Sequence, residues 1–172
     1  KDTTALSLGA NKVVEIIEHI AEKDGVPIQV VRNGSRGLYW LEPMVEIETA
    51  KGRVAYGPVT VDAVESFMDS KCWLENDKHP LYLGLTEEIP YLKKQQRLTF
   101  SRVGIIDPLS FNDYCNHEGF SGLHQALNKS AQQIVTTVTN SGLRGRGGAA
   151  FPTGIKWQTV LDTPAKQKYI IC

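Results

Sequence analysis

The sequence predicts a mixed fold of the α/β (α+β) class, in which amphipathic helices pack on short β-strands. With 172 residues, of which 41% are hydrophobic, the chain is long enough to bury one or two modest cores. Apolar residues recur at helical spacing near the amino terminus, namely Val13, Val14, Ile16, Ile17 and Ile20. Short strand-like runs separated by turn residues follow. The first part of the chain therefore has the order helix, strand, hairpin, helix.

The first helix is predicted over residues from about 6 to 24, where the apolar stripe is long enough to cover a sheet. The sequence IQVV at 28–31 predicts a strand. MVEIE at 44–48 and RVAYG at 53–57 predict a hairpin, since the turn residues 49–52 join them. These strands are the expected partners of the helix.

Helix-capping residues mark three further helices. Thr60 is the predicted N-cap of the first, and Ser110 with Asp113 and Ser130 with Gln133 have the spacing of a capping box. The helix after Thr60 is expected to bury one face, which consists of Val61, Val64, Phe67 and Met68.

The last helix is predicted to begin near Pro152, because proline suits the first position of a helix. Its expected buried side consists of Ile155, Trp157, Val160 and Leu161. The run KYIIC at 168–172 is typical of a strand. Both ends of the chain look trimmed, since it starts without an initiator methionine and stops within this run.

The division of the chain follows from these patterns. Residues 1–70 form the first predicted domain, and a polar stretch with two prolines at 71–97 is interpreted as a linker. Residues 98–172 form the second predicted segment.

Composition excludes several classes of function. Nineteen basic residues balance nineteen acidic ones, so no global field favours nucleic acid or an anionic membrane as a partner. No apolar run is long enough to span a membrane, and no signal peptide is visible. The three cysteines, Cys72, Cys115 and Cys172, have no metal-ligand spacing, and the four histidines show none either. We therefore expect a cytoplasmic protein with no metal site of its own.

The stretch GLRGRGGAAFPTGIKW, residues 142–157, is the strongest candidate for a site. It holds five glycines, two arginines and one lysine, and no Asp or Glu occurs from Gly119 to Leu161. Glycines allow a close approach of the backbone, and the free N–H groups at a helix N-terminus favour an anion. The pattern predicts a phosphate or nucleotide site.

Two other nucleotide-binding motifs fit this stretch less well. The spacing of Gly148, Gly154 and Lys156 rules out a P-loop. Gly145, Gly147 and Ala150 match the loose G-x-G-x-x-A form of a dinucleotide fingerprint, but a helix instead of a strand precedes them. A structural turn with incidental charges remains the alternative to a phosphate site.

SGLRGRGGAAFPTGIKW is very similar to the flavin-binding signature SGLRGRGGAGFPTGLKW of the NADH-oxidising flavoprotein family. That family includes the NADH-binding subunit of complex I and the diaphorase subunits of soluble hydrogenases and formate dehydrogenases. The resemblance implies FMN and NAD as cofactors. It implies that the loop contacts the flavin or its phosphate through Gly142, Arg144, Gly145, Arg146, Gly147, Gly148, Ala150 and Lys156. Ala150 replaces a glycine of the signature, and no catalytic side chain is implied because the flavin performs the chemistry.

The resemblance extends to RLTFSRVGIIDPLSFNDYCNHEGFSGLHQAL before the motif and to KYIIC after it. In the family a further region follows, which implies that the remaining FMN contacts, most of the nicotinamide pocket and a [4Fe-4S] cluster lie beyond this chain. The second segment therefore resembles the start of an FMN-binding α/β domain.

Residues 27–68 resemble the second half of the thioredoxin-like ferredoxin domain, which carries a [2Fe-2S] cluster. Ser35 and Tyr39 stand where that family has cysteines, and no cysteine precedes Cys72. Because such a cluster requires thiolate ligands, the domain is expected to be cluster-free.

A cluster-free thioredoxin-like domain fused to a flavoprotein domain is most similar to the beta subunit of soluble NAD-dependent, molybdenum-containing formate dehydrogenase. This implies two kinds of partner. The first are the subunits that carry molybdenum and iron–sulfur clusters, and the second is a small thioredoxin-like subunit that carries a [2Fe-2S] cluster. The diaphorase subunit of NAD-reducing hydrogenase and a complex I-like NADH dehydrogenase are alternatives. A non-catalytic docking module is the other class of function open to this chain alone.

Overall fold

The computed structural model describes residues 2–74 and 76–171, so the two outermost residues and residue 75 lie outside the described part. The chain forms two compact units, the first ending at His117 and the second beginning at Glu118. Helices and a small sheet occur together, which confirms the predicted mixed α and β composition. The division at 70 and 97 that the sequence suggests stays a prediction.

The amino-terminal helix is interrupted. Helix α1 spans Thr3–Ser7 and helix α2 spans Ala10–Lys23, with Gly9 at φ 90° between them. The Asp2 carboxylate accepts a hydrogen bond from the Thr4 amide at 2.9 Å, which caps α1. The single predicted helix over 6–24 is therefore two helices, because the left-handed backbone at Gly9 breaks the helical path.

The sheet has three antiparallel strands in the order β1–β2–β3. They are β1 Val45–Thr49, β2 Gly52–Tyr56 and β3 Tyr82–Leu85. Strands β1 and β2 form the predicted hairpin, in the register Val45 opposite Tyr56 and Thr49 opposite Gly52. Strand β3 lies in the stretch 71–97, whose polar composition did not predict regular structure.

The predicted strand at 28–31 is wrong, because the segment forms no regular structure. Ile28, Val30 and Val31 are exposed. A strand is stabilised by its ladder of inter-strand hydrogen bonds, and within the described part of the chain no backbone partner pairs with 28–31. The apolar, β-branched residues of 28–31 therefore do not form a strand, because no neighbouring strand pairs with them.

The main core of the first unit lies between the sheet and helices α2 and α3. Helix α3 spans Val64–Asp69, and Val64, Phe67 and Met68 are buried as predicted. Val61 is exposed, because residues 61–63 form a turn and α3 begins later than the sequence suggests. Thr60 does not cap the helix with its side chain; its carbonyl accepts from the Val64 amide instead.

A smaller apolar cluster on the other face of the sheet contains Leu38, Ala55, Ile89 and Leu92. Helix α4, Pro90–Lys93, contributes to it. Short 3-10 turns occur at Tyr39–Leu41, Cys72–Leu74 and Thr86–Glu88. The stretch 71–97 is thus packed into this unit at several points.

Helix α5, Phe111–Asn116, closes the first unit in sequence. The Ser110 hydroxyl accepts from the Asp113 amide at 3.1 Å, as a capping box requires. The reciprocal half does not form, because the Asp113 carboxylate accepts from the Asp107 amide.

A buried arginine joins several parts of the first unit. The Arg36 guanidinium donates to the Glu46 carboxylate at 2.9 and 3.0 Å and to Glu87 at 2.9 Å. Burial by itself lowers the pKa of Arg36, but the hydrogen bonds and charges of the two glutamates outweigh it and raise the pKa above its ordinary value. Gly104 leaves room for the guanidinium, because a Cβ there would lie 2.8 Å from Arg36 Cζ.

The second unit is helical. It contains α6 Ser121–Leu127, α7 Ala131–Asn140 and α8 Thr153–Asp162, and α7 packs against α8. The predicted capping box before α7 is confirmed: the Ser130 hydroxyl accepts from the Gln133 amide, and the Gln133 side chain accepts from the Ser130 amide. Val135 is the buried apolar residue of α7.

The predicted buried side of α8 is wrong. Ile155, Trp157 and Val160 are exposed, and Leu161 is half-buried. The residue that α8 buries against α7 is Gly154. The run after α8 also forms no strand at 168–171, and Cys172 lies outside the described residues.

Candidate functional site

The glycine-rich stretch forms the connection between α7 and α8. Helix α7 ends at Asn140, and the hydroxyl of the following Ser141 donates to the Val138 carbonyl at 2.7 Å. Gly142 follows at φ 68°, in the left-handed region that favours glycine. This residue turns the chain away from the helix and begins the loop.

Two backbone hydrogen bonds close the loop at its base. The Gly145 amide donates to the Phe151 carbonyl at 2.8 Å, and the Thr153 amide donates to the Leu143 carbonyl at 2.9 Å. Arg144 and Pro152 form an isolated antiparallel bridge between them. We call residues 145–151, enclosed by these bonds, the glycine loop.

Contacts inside the glycine loop fix its carboxyl-terminal side. The Ala150 amide donates to the Gly147 carbonyl at 3.1 Å, and Arg144 Nε donates to the Ala150 carbonyl at 2.7 Å. Ala150 has φ 45°, a left-handed conformation that is costly for any residue with a Cβ. The alanine therefore occupies a backbone position that suits the glycine of the family signature better.

The outer side of the glycine loop is bare backbone. Within the described residues, the amides of 146–149 donate no backbone hydrogen bond, and no other atom lies within 4 Å of a Cβ placed on Gly147 or Gly148. Helix α8 starts directly after the loop, and no side chain caps its N-terminus. Successive free N–H groups beside a helix N-terminus are the usual backbone setting for an anion.

Positive charge surrounds this backbone. The Lys156 ammonium lies 5.8 Å from the centre of the Phe151 ring and would lie 3.9 Å from a Cβ on Gly145. Arg146 is exposed at the outer side of the loop. In the part of the chain that the structure describes, no ion pair involves Arg144, Arg146 or Lys156. Among the described residues, therefore, no carboxylate neutralises these three positive charges.

The structure thus brings most of the predicted site residues together. Gly145, Arg146, Gly147, Gly148 and Ala150 form the glycine loop, while Arg144 and Lys156 flank it. Gly142 lies before the loop, at the end of α7. Ligand contacts by all of these residues remain predictions.

Gly154 is a structural residue of the site that the sequence pattern did not single out. A Cβ at this position would lie 2.7 Å from Thr139 Cα and 2.9 Å from Thr139 Cβ, so only glycine lets α8 start so close to α7. The signal was present in the sequence, because a glycine in the first turn of a helix is unfavourable without a packing reason.

The two positions that the sequence resemblance compares with ferredoxin cysteines hold Ser35 and Tyr39. The Ser35 hydroxyl donates to the Glu42 carboxylate at 2.9 Å and accepts from the Gly37 amide at 3.0 Å. Tyr39 is exposed. Hydroxyl groups in these roles do not supply the thiolates that an iron–sulfur cluster needs.

The two cysteines within the described residues, Cys72 and Cys115, lie far apart in the sequence. Cys72 is fully buried, and this burial raises the pKa of its thiol, an effect that the nearby Ser70 hydroxyl partly opposes. Cys115 is exposed. Across residues 2–74 and 76–171, no group of three His, Cys, Asp or Glu side chains is arranged to hold a metal ion. Over the same residues, none of the helices has both the length and the apolar character needed to cross a bilayer.

The glycine loop with its flanking cations defines a candidate site for an anionic ligand. No protein-family model matches the chain. Parts of the chain are nevertheless similar to curated proteins. Over 80 residues it is 49% identical to the NADP-reducing hydrogenase subunit HndC of Solidesulfovibrio fructosivorans, an alignment that covers 46% of this chain and 16% of that protein.

Two further relatives give shorter alignments. An NADH-quinone oxidoreductase subunit of Streptomyces coelicolor is 47% identical over 58 residues, which is 34% of this chain and 13% of that protein. The alpha subunit of the NAD-reducing hydrogenase HoxS of Cupriavidus necator is 48% identical over 50 residues, which is 29% of this chain and 8% of that protein.

The chain spans between 8% and 16% of the length of these three relatives. The predicted similarity to subunits of NAD(P)-linked hydrogenases and NADH-quinone oxidoreductases is confirmed over these segments. None of the three is named as a formate dehydrogenase subunit.

Proposed function

We propose that this chain carries the glycine-loop part of an FMN site in the diaphorase-type subunit of an NAD-dependent oxidoreductase. The observation that carries the proposal is the closed glycine loop, whose free amides at 146–149 lie next to Lys156 and Arg146. The relatives support it, since their names describe hydrogenase and NADH-quinone oxidoreductase subunits.

The residues of the loop fit the phosphate and ring system of FMN. Gly147 and Gly148 leave open space where side chains would stand, so the backbone can approach a flat ligand closely. The amides of 146–149 would donate to phosphate oxygens or flavin carbonyls, and the N-terminus of α8 would add its dipole. Arg146 and Lys156 would balance the phosphate charge.

FMN, when bound, would exchange a hydride with the nicotinamide and single electrons with iron–sulfur clusters. The chain itself binds and orients; none of the described side chains at the loop is needed as a general acid or base. We propose that other residues of the subunit supply the remaining FMN contacts, most of the nicotinamide pocket and the ligands of a [4Fe-4S] cluster.

Formate is our proposed electron source. The basis is the segment of residues 1–70, which we assign to a thioredoxin-like domain without a cluster because Ser35 and Tyr39 replace ligating cysteines. The proposed assembly contains a molybdenum subunit, iron–sulfur subunits and a small [2Fe-2S] thioredoxin-like subunit, in the cytoplasm. Hydrogen is the second candidate, and the hydrogenase names of two relatives support it.

The test of the flavin proposal is binding of FMN and of riboflavin, which lacks the phosphate, to the 172-residue chain. Two or three charge-assisted hydrogen bonds give a dissociation constant on the order of 1 mM for FMN. The phosphorus NMR signal of FMN should broaden as the chain is added. Riboflavin should bind at least about tenfold more weakly, because it cannot use the charged hydrogen bonds.

Charge variants make the test specific to the loop. Lys156→Ala and Arg146→Ala should each weaken FMN binding by about tenfold. Lys166→Ala is the matched control, since Lys166 is exposed and follows α8 at its carboxyl-terminal end, the end away from the loop. Equal losses in all three variants, or equal binding of riboflavin and FMN, would overturn the proposal.

A further inference from the structure

The two arginines of the motif make different contacts, although each of them is followed by a glycine. Arg144 Nε donates to the carbonyl of Ala150 at 2.7 Å, across the glycine loop. Arg146 makes no side-chain hydrogen bond to any described residue and stands at the outer side of the loop. A guanidinium that is committed to a loop carbonyl differs in role from one that is free.

The carbonyl that Arg144 holds belongs to the strained residue of the loop. Ala150 has φ 45°, where its Cβ is crowded against the following backbone. Ala150 directly precedes Phe151, whose carbonyl accepts the Gly145 amide, and the bond from Thr153 to Leu143 follows two residues later. A hydrogen bond from a charged donor is of the size needed to offset the cost of one left-handed alanine.

We propose that Arg144 is a positioning residue, which keeps Ala150 in its left-handed conformation and so presents the amides of 146–149 as a group. Arg146 and Lys156, in contrast, contact the ligand directly. Two measurements test this inference. The loop arm measures closure of the loop in the free protein, and the ligand arm measures FMN binding. Only the ligand arm rests on the proposed FMN site.

The position of Arg144 supports this division of roles. Arg144 forms the antiparallel bridge with Pro152, at the base of the glycine loop, so its side chain starts beside the two closing bonds. From there Nε reaches back across the loop to residue 150. Lys156 instead lies on α8, near the ring of Phe151.

Replacement of Ala150 by glycine separates positioning from ligand contact. Glycine adopts a positive φ without the Cβ penalty, so a chain with glycine at 150 needs Arg144 less. Loss of a positioning residue should therefore be rescued by Ala150→Gly, whereas loss of a ligand-contacting residue should not.

The loop arm is measured without ligand, by amide hydrogen exchange of Gly145 and Thr153 in the 172-residue chain. Arg144→Ala should speed exchange at both amides by about fivefold, since one hydrogen bond that supports the closed loop is lost. Adding Ala150→Gly to that variant should return both rates to within about twofold of the starting chain. Arg146→Ala should leave both rates unchanged.

The ligand arm repeats the same variants with FMN, followed by NMR titration. Arg144→Ala should weaken FMN binding by about fivefold, and Arg144→Ala with Ala150→Gly should restore most of it. Arg146→Ala should weaken binding by about tenfold with or without Ala150→Gly.

The two measurements distinguish a failure of the positioning role of Arg144 from a failure of the proposed FMN site. Unchanged exchange at Gly145 and Thr153 in Arg144→Ala would overturn the positioning role, whatever the flavin result. Faster exchange with rescue, in a chain that does not bind FMN, would support the positioning role and overturn the flavin proposal alone. A binding loss in Arg144→Ala that Ala150→Gly does not rescue would make Arg144 a ligand contact.

Discussion

Replacement of Gly154 by alanine tests whether close packing of α7 and α8 sets the geometry of the site. The new Cβ would lie 2.7 Å from Thr139 Cα and 2.9 Å from Thr139 Cβ, well inside van der Waals contact. The backbone atom of Thr139 cannot move alone, and the Thr139 hydroxyl is held by its bond to the Val135 carbonyl at 2.9 Å. The two helices must therefore separate.

The size of the effect follows from two opposing terms. Overpacking of this kind costs about 1–3 kcal/mol, and the better helix propensity of alanine returns about 1 kcal/mol. Because the clash includes the backbone Cα of Thr139, the upper part of the overpacking range applies, about 2–3 kcal/mol. The net loss is then about 1–2 kcal/mol, which corresponds to a population change of about 5- to 30-fold. Amide hydrogen exchange of α7 and α8, measured by mass spectrometry, should lose protection by that factor.

Gly148→Ala is the matched control for this substitution. Apart from its two chain neighbours, no described residue has an atom within 4 Å of a Cβ at Gly148, and the φ of Gly148 is not in the left-handed region. Its effect on the protection of the two helices should stay within about 0.5 kcal/mol. Equal or greater protection in Gly154→Ala than in the unaltered chain would refute the close-packing argument.

Three further predictions concern other parts of the molecule. Ala150→Gly should stabilise the second unit by about 0.5–1 kcal/mol in urea unfolding, since the relief of the left-handed strain exceeds the added chain entropy; a lower midpoint would contradict this. Glu46→Ala should cost about 3–5 kcal/mol because it leaves the buried Arg36 charge poorly paired, whereas the exposed Glu87 should cost below about 1 kcal/mol when replaced; similar losses would contradict the assigned burial. The raised pKa of Cys72 means that the unfolded chain loses this proton first, so stability should fall as pH rises above about 9. In Cys72→Ala that alkaline fall should be shallower, and an unchanged slope would contradict it.

Local signals in the sequence were sufficient to predict those elements whose structure depends on residues close along the chain. The hairpin follows from the turn residues 49–52, and the capping box of Ser130 and Gln133 from their spacing. The glycine loop was also recognisable, because its sequence resembles a known signature at every position except Ala150. These features need no information about distant contacts.

The predictions from sequence failed where the structure depends on contacts between residues that are distant along the chain. The segment 28–31 has strand-like residues but no pairing partner among the described residues, and β3 formed in a polar stretch because β2 offered it an edge. The apolar stripe of α8 predicts that some surface covers it, yet α7 contacts the helix at Gly154 instead. The hydrogen bond from Arg144 to the Ala150 carbonyl is likewise invisible to spacing, since it depends on how the loop closes.

The central claim is that the glycine loop binds the phosphate of FMN, and its most direct test is a 1H–15N NMR titration of the labelled 172-residue chain with FMN. If the loop binds the phosphate, the amides of 146–149 and of the first turn of α8 should shift progressively, and riboflavin at equal concentration should produce much smaller shifts. Shifts elsewhere in the chain with none in the loop, or no difference between FMN and riboflavin, would contradict it.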